Sequence, residues 1–471
     1  VSLLHEMSAM QLVTARREGE LSASDLVSHF LARIEALNPE VNAIVTLDAT
    51  QALARARAMD ASEIEPGLLW GLPFADKDLT NRRGVRTGFG SKTRAGFPPE
   101  KENDPLAATL DDAGGISLGK SAVCEFGLSS YTQSDVFLPT ANPFSVSHGA
   151  GGSSGGAAAA VAAGMLPVAP GNDGGGSVRI PAWVCGLVGH KPSRGLIPAG
   201  TGLDSPGGLV VPGPLARSVE DAALLLDAMR GNGQTYRAIR HADAPQSFVE
   251  TLNQAPQALT IALTTNSPWD EWTDIQVDLE AKAALERVAA VASSLGHTVQ
   301  WWDWTPPPGY PEAFTTLWST QAVSLDVPVD RRHLLEPLTR YLVELGATVS
   351  AATLVGALRA LAVFEKTVIR QFSAFNLVLT PGLATATPEI GFYDLEDAER
   401  NFRQQVQVTP FSSFVNVCGL PALALPVMAS EKGLPLGVQL IGGPGKDALV
   451  LQFAATLEAE LSWLGTRPSV W

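Results

Sequence analysis

The sequence predicts an α/β fold, and two segments carry the prediction. Residues 258–263, "ALTIAL", read as a buried strand, residues 277–295 as a helix closed by Gly296, and "HTVQWW" (297–302) as the next strand, together a β-α-β unit. Upstream, "AAAAVAAGMLPVAP" (157–170) reads as a buried helix leading into a strand. It is flanked by two glycine-rich runs, "GAGGSSGG" (149–156) and "GNDGGGSVRIP" (171–181). Glycine and serine runs are ordinarily spacers, because they bury too little apolar surface to offset the entropy of ordering them. These two runs lie between apolar segments, with the apolar "WVCGLVG" following, so they read as part of the packed structure.

Other elements follow in chain order. From Ser24, a candidate N-cap, Leu26, Val27, Phe30, Leu31, Ile34 and Leu37 recur at helical spacing, and Asn38-Pro39 reads as the stop. "TPPPGYP" (305–311) reads as a surface loop. Trp269, Trp272, Trp301, Trp302, Trp304 and Trp318 cluster in sequence, which is compatible either with an apolar pocket or with core packing. No period of 20–50 residues repeats, so the 471 residues read as one large domain whose middle, roughly 226–405, carries fewer recognisable signals.

Bulk properties exclude several classes of function. A formal net charge of −15 opposes binding to nucleic acid or an anionic membrane. No stretch reaches the roughly 18 uninterrupted apolar residues of a membrane helix. The N-terminal "VSLLHEMSAMQLVTARREGE" carries charges too early for a secretory signal. The expected location is the cytoplasm, and Cys124, Cys185 and Cys418, far apart in apolar contexts, read as buried free thiols. A homodimer is compatible with the sequence but is not read from it.

Several chemistries are tempting and fail. "GGISLGKS" (114–121) fits the phosphate-loop pattern G-x-x-x-x-G-K-[ST]. Here, however, a helix ends at the glycines and a strand follows, the reverse of the order that aims a helix N-terminus at a phosphate. The seven histidines are scattered singly, without metal-ligand spacing, so no metal and no cofactor is expected. His148 reads as a loop residue with no acidic neighbour in sequence, and no G-x-S-x-G turn is present, which leaves a Ser-His-Asp triad unsupported. Cys185 and Cys418 lie in core-like contexts rather than electropositive ones.

What remains is Lys77, which interrupts the apolar entry "GLPFADKDL" (71–79); a lysine between two aspartates is by itself ordinarily a surface group, and it is the combination with the two serine-glycine runs that points to chemistry. A lysine held neutral by burial activates a serine without histidine, since desolvation penalises the ammonium form. Successive glycines let backbone amides converge on one point, as an oxyanion requires.

These residues resemble the amidase signature family. The matching stretches are "GLPFADKDL", "GKSAVCEFG" for the family's usual G-K-[ST]-N-x-x-E-F, "GGSSGG", "GNDGGGSVRIPAWVCGLVGHKPSRG", "GPLARSVEDAALLLDAM", "GLPALALPV" and "GLPLGVQLIGG". The resemblance implies a single amidase signature domain, with a signature core at 65–225 and a variable, substrate-shaping region at 226–405, built on a large mixed central β-sheet covered by helices on both faces. It also implies a Ser-Ser-Lys amide hydrolase acting on a small-molecule amide through an acyl-enzyme. By its pattern Lys77 is the base, Ser153 the bridging serine preceded by a cis peptide, and Ser177 the nucleophile. Gly174, Gly175 and Gly176, with the Ser177 amide, would hold the oxyanion, and Ser154, Asp173 and Arg179 would support the site. The usual "GTDTGGS" appears here as "GNDGGGS", resembling members that hydrolyse cyclic or linear aminohexanoate oligomers, and Gly174 leaves room for bulkier acyl groups. The alternative within the family is the glutamyl-tRNA(Gln) amidotransferase component that shares this fold and triad and delivers ammonia from glutamine to a partner protein. Its branch usually shows L-D-Q-x-G-P, whereas this chain reads "VVPGPLARSVED".

Overall fold

The computed structural model describes residues 3–62, 67–197, 206–231, 244–463 and 465–471. A three-stranded sheet joins β1 (Ile44–Leu47), β2 (Pro73–Lys77) and β3 (Ile116–Ser121) in the order β1-β3-β2, with β2 parallel to β3. A hairpin follows from β4 (Ala141–Asn142) and β5 (Ser145–Gly149). The remaining strands are β6 (Val168–Asp173), β7 (Val188–Lys191), β8 (Val211–Ala216), β9 (Thr260–Leu263), β10 (Thr298–Trp301), β11 (Leu377–Pro381), β12 (Ala422–Ala429) and β13 (Pro435–Gly442). They form one mixed sheet in the order β10-β9-β11-β13-β12-β7-β8-β6. The β10-β9-β11 edge is parallel, and every later pairing is antiparallel.

Side chains alternate across a strand, so a strand buried on both faces feeds two cores. Ile261 and Leu263 of β9 and Leu377 and Leu379 of β11 join a core with Leu285 and Val288 of the helix Leu279–Ser294 and Leu451 and Phe453 of the helix Asp447–Leu461. Ala262 and Val378, between them, join a second core with Phe314 of the helix Tyr310–Val323 and Leu361, Phe364 and Phe372 of the helix Ala351–Phe372. The large mixed sheet with helices on both faces is therefore present.

The β-α-β unit forms as expected, with β10 parallel to β9 and Gly296 left-handed (φ +88°) just past the connecting helix. The apolar run after "GAGGSSGG" becomes the fully buried helix Gly155–Ala162 and then β6. The first amphipathic helix differs at both ends. It runs Ala23–Val41 with Ser22, not Ser24, as N-cap, because Asp25 completes a reciprocal capping box with Ser22 and the Asp60 carboxylate takes the Ala23 and Ser24 amides. Pro39 does not stop it. The Asn38 carboxamide accepts from the Ala43 and Ile44 amides, and Asn42 closes the helix in the left-handed conformation. In "TPPPGYP" only the first part is loop, because Tyr310 and Pro311 start a helix and are buried, with the Tyr310 hydroxyl donating to Ser413 Oγ. Lys120 of the phosphate-loop look-alike lies within β3, fully buried, and donates to the Thr80 carbonyl. His148 lies in β5, not in a loop, with Nδ1 within hydrogen-bond distance of the Ser145 and Ser147 hydroxyls. No single helix among the described residues is long and apolar enough to cross a membrane.

Candidate active site

The period of two on β2 decides the fate of the sequence Asp76-Lys77-Asp78. The aspartates turn to one side, where Asp76 pairs with Arg82 (2.5 Å) and accepts from Ser117 (2.7 Å), and Asp78 accepts from the Gly88 amide (2.9 Å). Lys77 turns to the other, away from both carboxylates, and is 1% exposed. Among the described residues it makes no ion pair. Nζ lies 2.8 Å from Ser153 Oγ, 2.9 Å from Ser154 Oγ and 3.4 Å from the Asn172 carbonyl oxygen. Burial lowers its pKa from 10.5 to about 7.

Ser153 and Ser154 stand at the entrance to the helix Gly155–Ala162, and the Gly152–Ser153 peptide bond is cis, as the resemblance implies. The glycines here permit close approach. A Cβ at Gly152 would meet the Tyr131 backbone at 2.5 Å, and one at Gly155 would meet Thr132 Oγ1 at 2.4 Å. The Ser154 amide donates to the Ser177 carbonyl (3.2 Å), which ties the two serine runs together.

Ser177 follows β6 and precedes the short helix Arg179–Val184, and the chain between is fixed by a buried ion pair. Burial alone would raise the Asp173 pKa, but the Arg179 guanidinium overrides it and holds the carboxyl well below the usual carboxylate range. Asp173 and Arg179 are both fully buried, 2.9 Å apart. A buried pair is tolerable only when its remaining donors and acceptors are satisfied. Arg179 also donates to the Ser412 carbonyl, Gln439 Oε1 and Asn416 Oδ1. Asp173 also accepts from the Gly176 and Val178 amides and from Asn416 Nδ2.

This arrangement pins the peptide between Gly175 and Gly176 at both ends. The Gly176 amide, expected among the oxyanion donors, donates to Asp173 Oδ1 (2.8 Å), and the Gly175 carbonyl accepts from Ser412 Oγ (2.6 Å). Gly176 has φ +124°, and a Cβ there would fall 2.6 Å from the Ser412 side chain.

Ser177 lines two recesses. One, of about 510 Å³, is also lined by Lys77, Ser153, Asn172 and Gly174 and by the charged Arg94, Glu100 and Asp326. The other, of about 70 Å³, is walled by Trp269, Phe314, Trp318 and Phe402 and floored by Ser412 and Ser413. The tryptophan cluster is thus divided: Trp269 and Trp318 face the site, Trp304 is buried in the second core, and Trp301 is exposed. Cys124, Cys185 and Cys418 are buried free thiols whose pKa burial raises. Among the described residues no group of His, Cys, Asp and Glu could hold a metal ion.

Lys77, Ser153, Ser154, Asp173, Gly174, Gly175, Gly176, Ser177 and Arg179 are therefore gathered in one place. Ser412, Ser413 and Asn416, which no motif in the sequence marks, complete it together with Trp318 of the tryptophan cluster.

Comparison with known proteins agrees with this geometry. Residues 25–451 match the family model described as Amidase. The 6-aminohexanoate-cyclic-dimer hydrolase of Paenarthrobacter ureafaciens is 33% identical over 485 residues, spanning 96% of this chain and 94% of that protein. A solved structure of 6-aminohexanoate cyclic dimer hydrolase superposes with a TM-score of 0.90 at 30% identity, covering 99% of each chain. A glutamyl-tRNA(Gln) amidotransferase component of Thermotoga maritima shares the fold, with a TM-score of 0.78 at 24% identity over 99% of this chain and 98% of that one.

Proposed function

We propose, from the premise that this chain belongs to the amidase family of hydrolases acting on carbon–nitrogen amide bonds, that Ser177 is its acyl-accepting nucleophile and Lys77, acting through Ser153, its base. The observation that carries the reading is the hydrogen-bond set of Lys77. A neutral amine has two N–H donors and one lone pair. The three oxygens within reach of Nζ suit an ammonium donating to each; in the neutral amine Ser154 Oγ and the Asn172 carbonyl take the two donors, which leaves the lone pair for the Ser153 hydroxyl, 2.8 Å away. With its pKa at about 7, half of Lys77 is in that state at neutral pH.

In the reaction the Ser177 hydroxyl gives its proton to Ser153 as Ser153 passes its own to Lys77, and Ser177 Oγ attacks the amide carbonyl. The amides of Gly174, Gly175 and Ser177 hold the oxyanion, with the peptide between Gly175 and Gly176 fixed as their frame. Protonated Lys77 returns the proton through Ser153 to the leaving nitrogen, the C–N bond breaks, and water then releases the acid from Ser177. Ser154 positions Lys77, while Asp173 and Arg179 hold the glycine turn. The reaction needs no cofactor.

For substrate we propose neutral aliphatic amides, with the cyclic dimer of 6-aminohexanoate the first to test. The named relatives, the absent side chain at Gly174 and the aromatic recess beside Ser177 support this class. Incubation with a serine-directed fluorophosphonate, followed by peptide mapping, tests the nucleophile: label at Ser177 that is lost in Ser177→Ala is expected, and label at a cysteine would refute it. Glutaminase activity gained only with added partner proteins would favour the amidotransferase reading.

A further inference from the structure

Asn172 is 3% exposed, lines the cavity that holds Lys77, Ser153 and Ser177, and has no hydrogen-bond partner for either Oδ1 or Nδ2. Buried carboxamides are nearly always satisfied, so a side chain orphaned at both polar ends in the wall of a reaction cavity calls for an absent partner. The partner's chemistry follows from the atoms. Oδ1 wants a donor and Nδ2 an acceptor, so a carboxylate answers only one of them and an ammonium only the other. What is called for is a neutral group with both a donor and an acceptor, and in an amide substrate a second amide carries both, its C=O for Nδ2 or its N–H for Oδ1. In the lining of the same cavity Asn81 Oδ1 is likewise buried without a partner, another neutral acceptor awaiting a donor.

We propose that Asn172 determines specificity by hydrogen-bonding a second, non-scissile amide on the amine side of the bond that breaks. This rests on the Ser177 reading above. The relay hands its proton to the leaving nitrogen through Ser153, so that nitrogen lies on the Ser153–Lys77 side of Ser177, the side on which the main-chain carbonyl of Asn172 accepts from Lys77 Nζ and the Asn172 side chain lines the same cavity. The neighbouring Gly174 keeps the approach open, since a Cβ there would stand 3.0 Å from Val210 Cγ2 and 3.6 Å from the Trp318 ring. The preferred substrate class is thus a neutral diamide, cleaved at one amide and read at the other.

The test compares the cyclic dimer of 6-aminohexanoate with the monolactam of equal ring size in which methylenes replace one amide, using the full chain and its Asn172→Leu variant. Wild type is expected to favour the diamide at least tenfold in kcat/KM. Asn172→Leu should lose tenfold or more on the diamide, chiefly through KM, and at least fivefold less than that on the monolactam. Its Tm should hold or rise, since the leucine removes no protein hydrogen bond. Equal losses on both substrates, no loss on either, a lowered Tm, or a wild type without diamide preference would each overturn the proposal. Fluorophosphonate labelling of Ser177 in the same preparations reports separately on the nucleophile, so failure of this assignment and failure of that reading are told apart.

Discussion

Raising the pH from 6 to 8 should carry kcat/KM up a limb with an apparent pKa near 7 and onto a plateau, because only neutral Lys77 can take a proton from Ser153. The magnitude follows from the site. A fall in pKa from 10.5 to about 7 disfavours the buried ammonium by about 5 kcal/mol, at about 1.4 kcal/mol per tenfold. A solvated lysine at pH 7 would be neutral in only about 0.03% of molecules, whereas half of Lys77 is ready, a gain of roughly a thousandfold in competent enzyme. The assay is initial rate over pH 5.5–9.5 in constant-ionic-strength buffer, on a neutral substrate so that the limb belongs to the enzyme. Lys77→Ala should lose several orders of magnitude while keeping its circular dichroism. Lys77→Arg should be as inactive, because guanidinium is effectively never deprotonated. Stability should move with the same proton. Between about 7 and 10.5 the unfolded chain binds more protons at this position than the folded one, so folding stability rises with pH across that window. Lys191, fully buried with its pKa lowered to about 7, adds a second share of the same sign, and Lys77→Met should remove only the first. A limb that stays near 10, or an active Lys77→Arg, would refute the relay.

The remaining predictions concern the frame around Ser177. Arg179→Ala leaves the Asp173 carboxylate buried without its counter-charge and should cost about 3–5 kcal/mol in urea unfolding, with activity lost alongside. Gly174→Thr restores the family's usual side chain and is accommodated if Val210 shifts by a few tenths of an ångström; it should fold normally and lose more kcat/KM on bulky anilides than on short aliphatic amides. Chelators should leave the rate within about twofold, since the relay needs protein groups alone; loss restored by zinc would refute this.

How far the site could be read from the sequence follows the range of the interactions involved. Lys77 interrupts an apolar run, but between Asp76 and Asp78 it reads alone as a surface group, and it was the combination with the two serine-glycine runs and the resemblance they carry that marked it. Its freedom from Asp76 and Asp78 was legible in principle too, from the period of two in a strand. The β-α-β unit and the helix after "GAGGSSGG" rest on local periodicity and formed with ends moved by a few residues. The moved ends have non-local causes: Asp60, distant in sequence, takes amides at the first helix's start. Ser412, Asn416 and Gln439 meet Arg179 across more than 230 residues of chain, and nothing in "FSSFVNV" announces that meeting. Asn172 was visible as a departure from the usual pattern, but its lack of partners is a property of the folded interior. The tryptophans could not be sorted by sequence either, because proximity along the chain does not say which face of a helix meets Ser177.

The hold of Ser412, Asn416 and Gln439 on the Asp173–Arg179 turn has a consequence for synthesis on the ribosome. Every group of the proposed relay has been translated by residue 177, yet the clamps that shape the glycine turn come only with residues 412–439, the last of them on β13. A nascent chain therefore carries the proposed relay residues without their full frame until residue 439 has been added. Termination between residues 177 and 439 would yield polypeptides that contain Lys77, Ser153 and Ser177 but lack the Gln439 contact that helps to fix Arg179 beneath the glycine turn.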